Sequence, residues 1–276
     1  NVSLETFKAK YPWFQGTVPD EDFALRRTEI EEAKIYKEAI AKIDIAKLNR
    51  ELTDLFSHVK YYFPEFVEPK VFIYSSALQG VLEPIFYKPK ENLLFIDVTG
   101  FMGENNPNYK GLEQYFQTSM NPKNIVPKTS EVLAENFVQP NLEQQKFIDE
   151  LIYNGKISTL QDAFLPDFPN DLKMNYTQKQ YDWAKENEVN IWNFFVENNL
   201  IFSDDIRLSE RFIKPAPFSK FYTEIDNESS PQIGIFMGWQ ICKKFFNEKP
   251  ETKLQDFLKL NAQQIFNQSN YKPKSQ

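Results

Sequence analysis

The hydrophobic pattern of this chain changes its period near the middle, and this change limits the folds that the chain can adopt. Residues 71–98 contain three short runs rich in aromatic and β-branched side chains, at 71–74, 84–87 and 93–98. Such runs, bounded by turn residues, are typical of β-strands. Elsewhere the apolar residues recur three and four positions apart, as on one face of a helix. Helices segregated around a small sheet predict an α+β protein that is mostly helical.

The sheet is expected to be small and mostly antiparallel. Its three strands follow one another closely, with turn residues at Gly80, Pro89 and Asn92, and short connections favour antiparallel neighbours. The chain has 276 residues, enough for one large domain or two small ones. We predict a single domain, with N-terminal helices in residues 1–64, the sheet in 70–100 and a helical part in 107–267.

Helical patterns flank the sheet on both sides. Before it, a short helix should stop at Pro12, a longer one should follow an N-cap at Asp20 or Asp22, and another should span residues 45–62 and end at Pro64. After it, helices are predicted at 111–118, 127–138, 142–153, 178–198, 233–246 and 254–266.

Charge and composition exclude several classes of function. The formal net charge is −7 and no dense basic run occurs, so a duplex nucleic acid is not expected as a partner. No glycine-rich phosphate loop follows a strand, and no run of 18 apolar residues is present to span a membrane. Because the chain begins at Asn1 without a signal peptide, we expect a processed or trimmed form.

The chain contains few residues that could support metal or thiol chemistry. The chain has one histidine, His58, and one cysteine, Cys242, whereas catalytic zinc usually takes three protein ligands, commonly including histidine. We expect no metal site and no cofactor. His58 is interpreted as a partly exposed helix residue, and Cys242, in an apolar stretch, as a buried small hydrophobic residue. Acidic residues are numerous, but no carboxyl pair is singled out for glycosidase chemistry.

Six strings occur along the chain in a characteristic order. They are Tyr-Pro-Trp-Phe at 11–14, Phe-Met-Gly-Glu-Asn-Asn-Pro-Asn-Tyr-Lys-Gly-Leu at 101–112, Asn-Ile-Val-Pro at 124–127, Ile-Tyr-Asn-Gly-Lys-Ile at 152–157, Arg-Phe-Ile-Lys-Pro-Ala-Pro-Phe-Ser-Lys-Phe at 211–221 and Ile-Gly-Ile-Phe-Met-Gly-Trp-Gln at 233–240. In order and spacing they are similar to the GldB family, lipoproteins required for gliding in the Bacteroidetes. The resemblance covers nearly the whole chain.

The resemblance implies where such a protein works. Members of the family carry a lipoprotein signal and an acylated cysteine at the mature N-terminus, and they belong to the envelope machinery of gliding and type IX secretion. It therefore implies a membrane-anchored lipoprotein that faces the periplasm, with other gliding or secretion proteins of the envelope as partners.

The family in turn resembles predicted zinc-dependent peptidases, which carry His-Glu-x-x-His on a helix and a further Glu on a following helix. Histidines four residues apart share a helix face and can bind one zinc ion, while the Glu acts as general base. In this chain Ser130 and Ala134 stand at the histidine positions, Glu131 at the base and Asn154 at the third ligand. The resemblance thus implies a degenerate zincin-like architecture, a pseudo-metallopeptidase that is not an enzyme.

The sequence allows two interpretations of Glu131. It is either the relic of a general base in a cleft, or a charged residue near a helix N-terminus, where the helix dipole favours negative charge.

A protein without catalysis would act by binding, and two loops are candidates for the contact. The loop at 106–111 offers Asn106 and Tyr109, and the segment at 211–221, which we expect to rim the old cleft, offers Arg211, Phe218 and Lys220.

Three hypotheses for the function follow. The first is a non-catalytic envelope lipoprotein that supports gliding motility and type IX secretion by binding partner proteins. The second is a hydrolase with a divergent metal or carboxylate site. The third is a module that binds a peptide or a small ligand in the vacant cleft.

Overall fold

The structure is a computed structural model that describes residues 3–12, 19–26, 28–140, 146–224 and 226–273. It is mostly helical with one small three-stranded sheet, which confirms the predicted α+β class. No helix within these ranges is both long and apolar enough to cross a membrane. Trp13 and Phe14 of the first string lie outside the described residues.

In the described residues before the sheet there are four helices: α1 (Leu4–Lys10), α2 (Asp20–Arg26), α3 (Ile30–Ala41) and α4 (Ile45–Tyr62). The long helix predicted after residue 20 is divided into α2 and α3, because the amide and the hydroxyl of Thr28 both donate to the carbonyl of Leu25 and turn the chain. Asp20 lies in the first turn of α2 and is not its N-cap.

Helix α4 has the predicted bounds, and both of its ends have a clear physical cause. The Asp44 carboxylate accepts a hydrogen bond from the Lys47 amide at 2.9 Å, which satisfies a helix-start donor. Phe63 closes the other end, immediately before Pro64, by donating from its amide to the Val59 carbonyl. One face of the helix is buried along its whole length, with Leu48, Leu52, Leu55, Phe56 and Val59.

The sheet contains β1 (Lys70–Tyr74), β2 (Ile85–Lys88) and β3 (Leu93–Asp97) in the order β1-β3-β2. Strand β2 pairs with β3 antiparallel, whereas β1 pairs with β3 parallel. The sheet is therefore mixed, and the expectation of a mostly antiparallel sheet needs this correction. The connection at residues 75–84 is long enough to leave room for β3 between the two strands that precede it.

A buried carboxylate fixes that connection. Asp97, at the end of β3, accepts hydrogen bonds from the Ser76 amide at 3.1 Å, from the Ser76 hydroxyl, and from the amide and hydroxyl of Thr99 at 3.0 and 2.6 Å. The same loop holds Ala77 and Leu78 at positive φ, which L-residues adopt at a cost. The hydrogen bonds to Asp97 hold the loop in this shape, so Asp97 has a structural role.

Ten helices follow the sheet in the described part of the chain: α5 (Gln114–Gln117), α6 (Ile125–Glu135), α7 (Phe147–Phe164), α8 (Asn170–Lys173), α9 (Gln178–Glu186), α10 (Glu188–Glu197), α11 (Arg207–Phe212), α12 (Ile233–Glu248), α13 (Leu254–Lys259) and α14 (Ala262–Ser269). Two predicted helices are each divided, at Asn187 and at Asn261. The Asn187 side chain bonds back to the Trp183 carbonyl, and Asn261 caps α14 through Gln264. The helix predicted at 142–153 begins at Phe147 and continues to Phe164, and residues 142–145 of that prediction lie outside the described residues.

The centre of the fold is the crossing of α7 and α12. A Cβ atom at Gly238 would lie 1.8 Å from the Leu151 carbonyl oxygen, and one at Gly155 would lie 2.4 Å from the Gly238 oxygen. Only glycine lets the two backbones approach this closely. Helix α6 packs on α7 on one side and faces β2 on the other, and this sandwich positions the site described next.

Candidate functional site

A cleft of about 570 Å³ opens between strand β2 and helix α6. We call it the β2–α6 cleft; it is lined by residues 82–87, Tyr115, Phe116, Thr118, Ser119, Lys128, Glu131, Val132, Glu135, Asn136, Asn175, Gln180, Pro215, Ala216, Pro231 and Gln232. A somewhat larger cavity of about 670 Å³ lies between α7 and the α13–α14 region. Its lining includes Gln139 and Pro140, and the chain directly after them, residues 141–145, is outside the described part, so no site is assigned to this cavity.

Two carboxylates of α6 line the cleft. Glu131 and Glu135 are four residues apart and therefore share one helix face; we call them the acid pair. The Asn175 amide donates to Glu131 Oε2 at 3.0 Å. Asn175 adopts φ 55° in the loop before α9, a left-handed conformation that asparagine tolerates better than most residues.

The electrostatics of the acid pair follow from burial and from like charge. Burial raises the pKa of Glu131, against the opposing effects of Lys128 and of the Asn175 hydrogen bond. Protein atoms surround Glu131 closely, yet part of its side chain reaches solvent through the cleft. Burial, followed by the neighbouring Glu131 charge, raises the pKa of Glu135 to about 7. Near pH 7 the carboxyl group of Glu135 is thus close to half protonated.

The sequence of α6 explains why the acid pair faces outward. The helix buries Val126, Leu133 and Ala134 against its neighbours. Thr129 donates from its hydroxyl to the carbonyl of Ile125 at 2.8 Å, which keeps its polar group satisfied inside the core. The charged residues occupy the remaining face, toward β2.

The four positions predicted as relics of a zinc site do not form one donor set. Ser130 is fully buried; its hydroxyl donates to the Pro127 carbonyl at 2.8 Å and accepts from Gln161 Nε2 at 3.2 Å. Ala134 is fully buried and has no donor atom. The Asn154 side chain donates to the Glu150 carbonyl. Only Glu131 and Asn154 come together, around a small cavity of about 20 Å³.

These residues do not fit a zinc ion. Zinc takes imidazole, thiolate or carboxylate ligands in a tetrahedral arrangement, whereas the side chains at the three predicted ligand positions are a buried serine, an alanine and an asparagine, none of which offers a charged donor. Within the described ranges, no three His, Cys, Asp or Glu side chains gather as metal ligands do.

The two residues that could support thiol or imidazole chemistry have structural roles. Cys242 is buried at the α7–α12 crossing, and burial raises the pKa of its thiol to about 12, so the prediction of a buried residue is confirmed. His58 lies on α4 with its Nδ1 atom 3.0 Å from the Phe164 carbonyl oxygen. The two side chains lie on different elements and have different partners.

Asn106 and Tyr109, predicted as partner contacts, are buried. Asn106 Nδ2 donates to Glu38 Oε1 at 2.8 Å. The Tyr109 hydroxyl donates to the Thr99 carbonyl at 2.7 Å and accepts from the Met102 amide at 2.8 Å. They fasten the loop at 101–112 to α3 and to the end of the sheet. This placement speaks against their predicted role at a contact surface, because a contact residue must reach the surface.

The segment at 211–221 lies beside the cleft. Pro215 and Ala216 line it, which agrees with the expectation that this segment forms a rim. Arg211 donates from Nε to the Lys220 carbonyl at 2.8 Å, and its guanidinium lies 4.5 Å from the Tyr222 ring centroid. Lys220 is exposed and Phe218 is half-buried.

Three residues of the cleft escaped the sequence analysis: Lys128, Glu135 and Asn175. Glu135 had a usable signal, because it stands four residues after Glu131 on a helix whose other faces are apolar. Asn175 had none, since its contact with Glu131 joins residues far apart in the sequence.

Taken together, the fold and the site define a mostly helical α+β protein with an open, acidic cleft between a short edge strand and a helix. The family model for gliding motility protein GldB matches residues 1–273. The chain therefore belongs to the GldB family of gliding-motility lipoproteins. No curated protein and no solved structure matches it.

Proposed function

We propose that the protein is a non-catalytic lipoprotein of the cell envelope that supports gliding motility and type IX secretion by binding a partner protein in the β2–α6 cleft. The observation that carries the proposal is the cleft itself, about 570 Å³ in volume, with charged groups on one wall and neutral, internally bonded residues at the former ligand positions. Membership of the GldB family supports the link to gliding.

The same geometry supports a relic origin. By the family's resemblance to zinc-dependent peptidases, Glu131 takes the place of the general base, and its carboxylate accepts a hydrogen bond from Asn175. Arg211, Phe218 and Lys220, on the segment that rims the cleft, are the surface residues that a bound partner would meet next. The periplasmic location and the lipid anchor belong to this proposal.

A carboxylate-based hydrolase is the second candidate, and the pKa of about 7 for Glu135 is the observation in its favour. Glycoside hydrolysis by two carboxyl groups needs them on opposite sides of the scissile bond. Glu131 and Glu135 both come from one helix and lie on one wall of the cleft, which favours binding over catalysis.

The proposed function is tested by filling the cleft. Ala216→Trp places an indole in the cleft, whereas Lys214→Trp adds the same ring to an exposed position of the same segment outside it. In a gliding bacterium that carries only the variant chain, we expect Ala216→Trp to abolish spreading at normal protein level, and Lys214→Trp to leave it intact. Normal spreading with Ala216→Trp would contradict a role for the cleft.

The proposal that the protein is not an enzyme is tested separately. The purified protein is incubated with a peptide mixture, with and without zinc, and products are sought by mass spectrometry. We expect no cleavage. Cleavage that disappears in Glu131→Gln would show a hydrolase and overturn this part of the proposal.

A further inference from the structure

We infer that the partner presents an extended segment to the β2–α6 cleft, where it adds a strand to the free edge of β2 and directs a lysine or arginine side chain at the acid pair. This inference rests on the proposed function and names the chemistry of the partner that the cleft accepts.

The first step concerns the direction of the peptide groups of β2. The Asp97 amide donates to the Pro84 carbonyl at 2.7 Å, so Pro84 and Asp97 form a hydrogen-bonded pair. Bonded and non-bonded pairs alternate along an antiparallel ladder. In the register of Ile85 with Ile96 and Tyr87 with Leu94, the N–H and C=O groups of Ile85 and Tyr87 point away from β3.

The second step is that these groups face the cleft without partners. Strand β2 is an edge strand, and Ile85 and Tyr87 both line the cleft. Among the described residues, no hydrogen bond reaches the peptide groups of either residue on the side away from β3. Two donors and two acceptors in one row are the template on which an extended peptide adds a strand.

The third step is the charge of the opposite wall. The charged side chains that line the cleft are Glu83, Glu131, Glu135 and one cation, Lys128. Asn175, which also lines it, leaves its buried amide oxygen without a hydrogen-bond partner in the described part of the chain. The wall thus has a surplus of acceptors and negative charge, and the group that complements both is a cationic donor, either ammonium or guanidinium.

Both features select a basic extended segment over other occupants. A helix docked in a groove satisfies its own backbone and needs an apolar face on the receptor, whereas here one wall is a backbone edge and the other carries the acid pair. In an added strand, alternate side chains point to the same side. One of them would face α6, where the acid pair lies.

The first experiment identifies the preferred peptide. Random linear octapeptides displayed on phage are panned on the purified protein, and the affinities of recovered peptides are measured by fluorescence anisotropy. We expect recovered peptides to share one lysine or arginine among strand-forming residues, and replacement of that residue by glutamine to weaken binding at least tenfold. Recovery of acidic or proline-rich peptides, or of no peptide above background, would overturn the inference.

The acid pair is tested with matched variants. Glu131→Gln with Glu135→Gln removes the negative charge from the wall, and Glu113→Gln with Glu186→Gln removes the same charge from exposed positions outside the cleft. We expect only the first pair of substitutions to abolish the preference for the basic residue. Equal affinities in both double variants would count against recognition by the acid pair.

Strand addition is tested at single amides. On peptide binding, the amide protons of Ile85 and Tyr87 should exchange at least tenfold more slowly, while those of Phe86 and Lys88, which point toward β3, should be unchanged. Tyr87→Pro removes an outward donor without removing a ladder bond, so it should bind the peptide less tightly than Tyr87→Phe. Equal affinity of these two variants, or binding without protection of Ile85 and Tyr87, would rule out strand addition.

The outcomes separate this inference from the proposed function. If Ala216→Trp abolishes spreading but Ile85 and Tyr87 stay unprotected, the cleft binds its partner in another way and only the strand inference fails. If bacteria that carry Ala216→Trp spread normally, both the proposed function and the strand inference fail.

Discussion

At the scale of single residues, the acid pair is the part of the cleft with the clearest chemical character. Its two members differ in their surroundings: Asn175 bonds to Glu131, whereas Glu135 stands nearer the solvent and has the charge of Glu131 beside it. The titratable groups that interact with the charge of Glu135 are Glu131, on the same helix, and Tyr153, on α7.

The raised pKa of Glu135 predicts a pH dependence of stability. Its folded pKa of about 7 lies above its ordinary value of 4.5, so the folded state binds the proton more tightly than the unfolded state. The free energy of unfolding should therefore fall as the pH rises from about 4.5 to about 7, and should receive no further change from this group above that window. Urea denaturation at pH 5 and pH 8 measures the effect.

Glu135→Gln should reduce the loss of stability between these two pH values, because the amide does not titrate. Glu186→Gln, at an exposed position of α9, serves as the control and should keep the wild-type difference. A pH dependence that is the same in wild type and in Glu135→Gln would refute the assignment.

Residue-scale prediction from sequence succeeded where the signal was local. Glu131 was placed on a helix and considered for a cleft, and it does line one. The neighbours that control it could not all be foreseen, because Asn175 reaches it from a loop whose position depends on the packing of α8 and α9. Asn106 and Tyr109 looked like surface residues in a polar string, yet their polar atoms satisfy buried partners.

At the scale of elements, sequence patterns predicted helices better than their interruptions or the strand order. The end of helix α4 could be predicted because its stop signal, Pro64, acts within one turn of the last helical residue. The order β1-β3-β2 could not be derived, since it depends on which strand inserts between the other two and on the buried Asp97 that fixes the connection.

The crossing of α7 and α12 gives a prediction at this scale. Gly238→Ala places a methyl group where the Leu151 carbonyl oxygen is 1.8 Å away, so the helices must separate. Overpacking typically costs about 1–3 kcal/mol, and a contact this short belongs at or above the upper end. We expect a loss of about 3 kcal/mol or more in the free energy of unfolding, measured by chemical denaturation.

Gln240→Ala, on the same helix at a half-buried position, is the comparison. It should change stability by only about 0.5 kcal/mol, as substitutions away from tight packing do. If Gly238→Ala fails to accumulate as soluble protein while Gln240→Ala accumulates normally, the conclusion is the same. Similar stability of the two variants would contradict the close approach.

At the scale of the whole molecule, polar groups help to fasten helix α3 to the rest of the protein. The Glu38 carboxylate of α3 accepts from Asn106 at 2.8 Å and from Asn108 at 3.1 Å, and Lys42 donates to the Met102 carbonyl at 2.7 Å. The hydrogen bond from Asn106 is the main cause that lowers the pKa of Glu38. The string at 101–112 therefore connects α3 to the end of the sheet.

Glu38→Ala should loosen this connection. Loss of hydrogen bonds to a charged group costs about 1.5–3 kcal/mol in general, and partial exposure of Glu38 reduces the effect here to about 1 kcal/mol. We expect faster amide exchange in α3 and unchanged exchange in α7. Glu31→Ala, on the same helix at an exposed position, should leave exchange in α3 as it is; faster exchange in both variants would refute the role of Glu38.

The burial of Ser130 and Ala134 also limits how the scaffold could be re-engineered. A designer who introduced a histidine pair with Ser130→His and Ala134→His would place two imidazole rings in a region already filled by α7, where Gln161 bonds to Ser130. The rings would force α6 away from α7 before they could reach a common metal. A zinc site at these positions would require the interior to be rebuilt around the new side chains, so two point substitutions are not expected to create one.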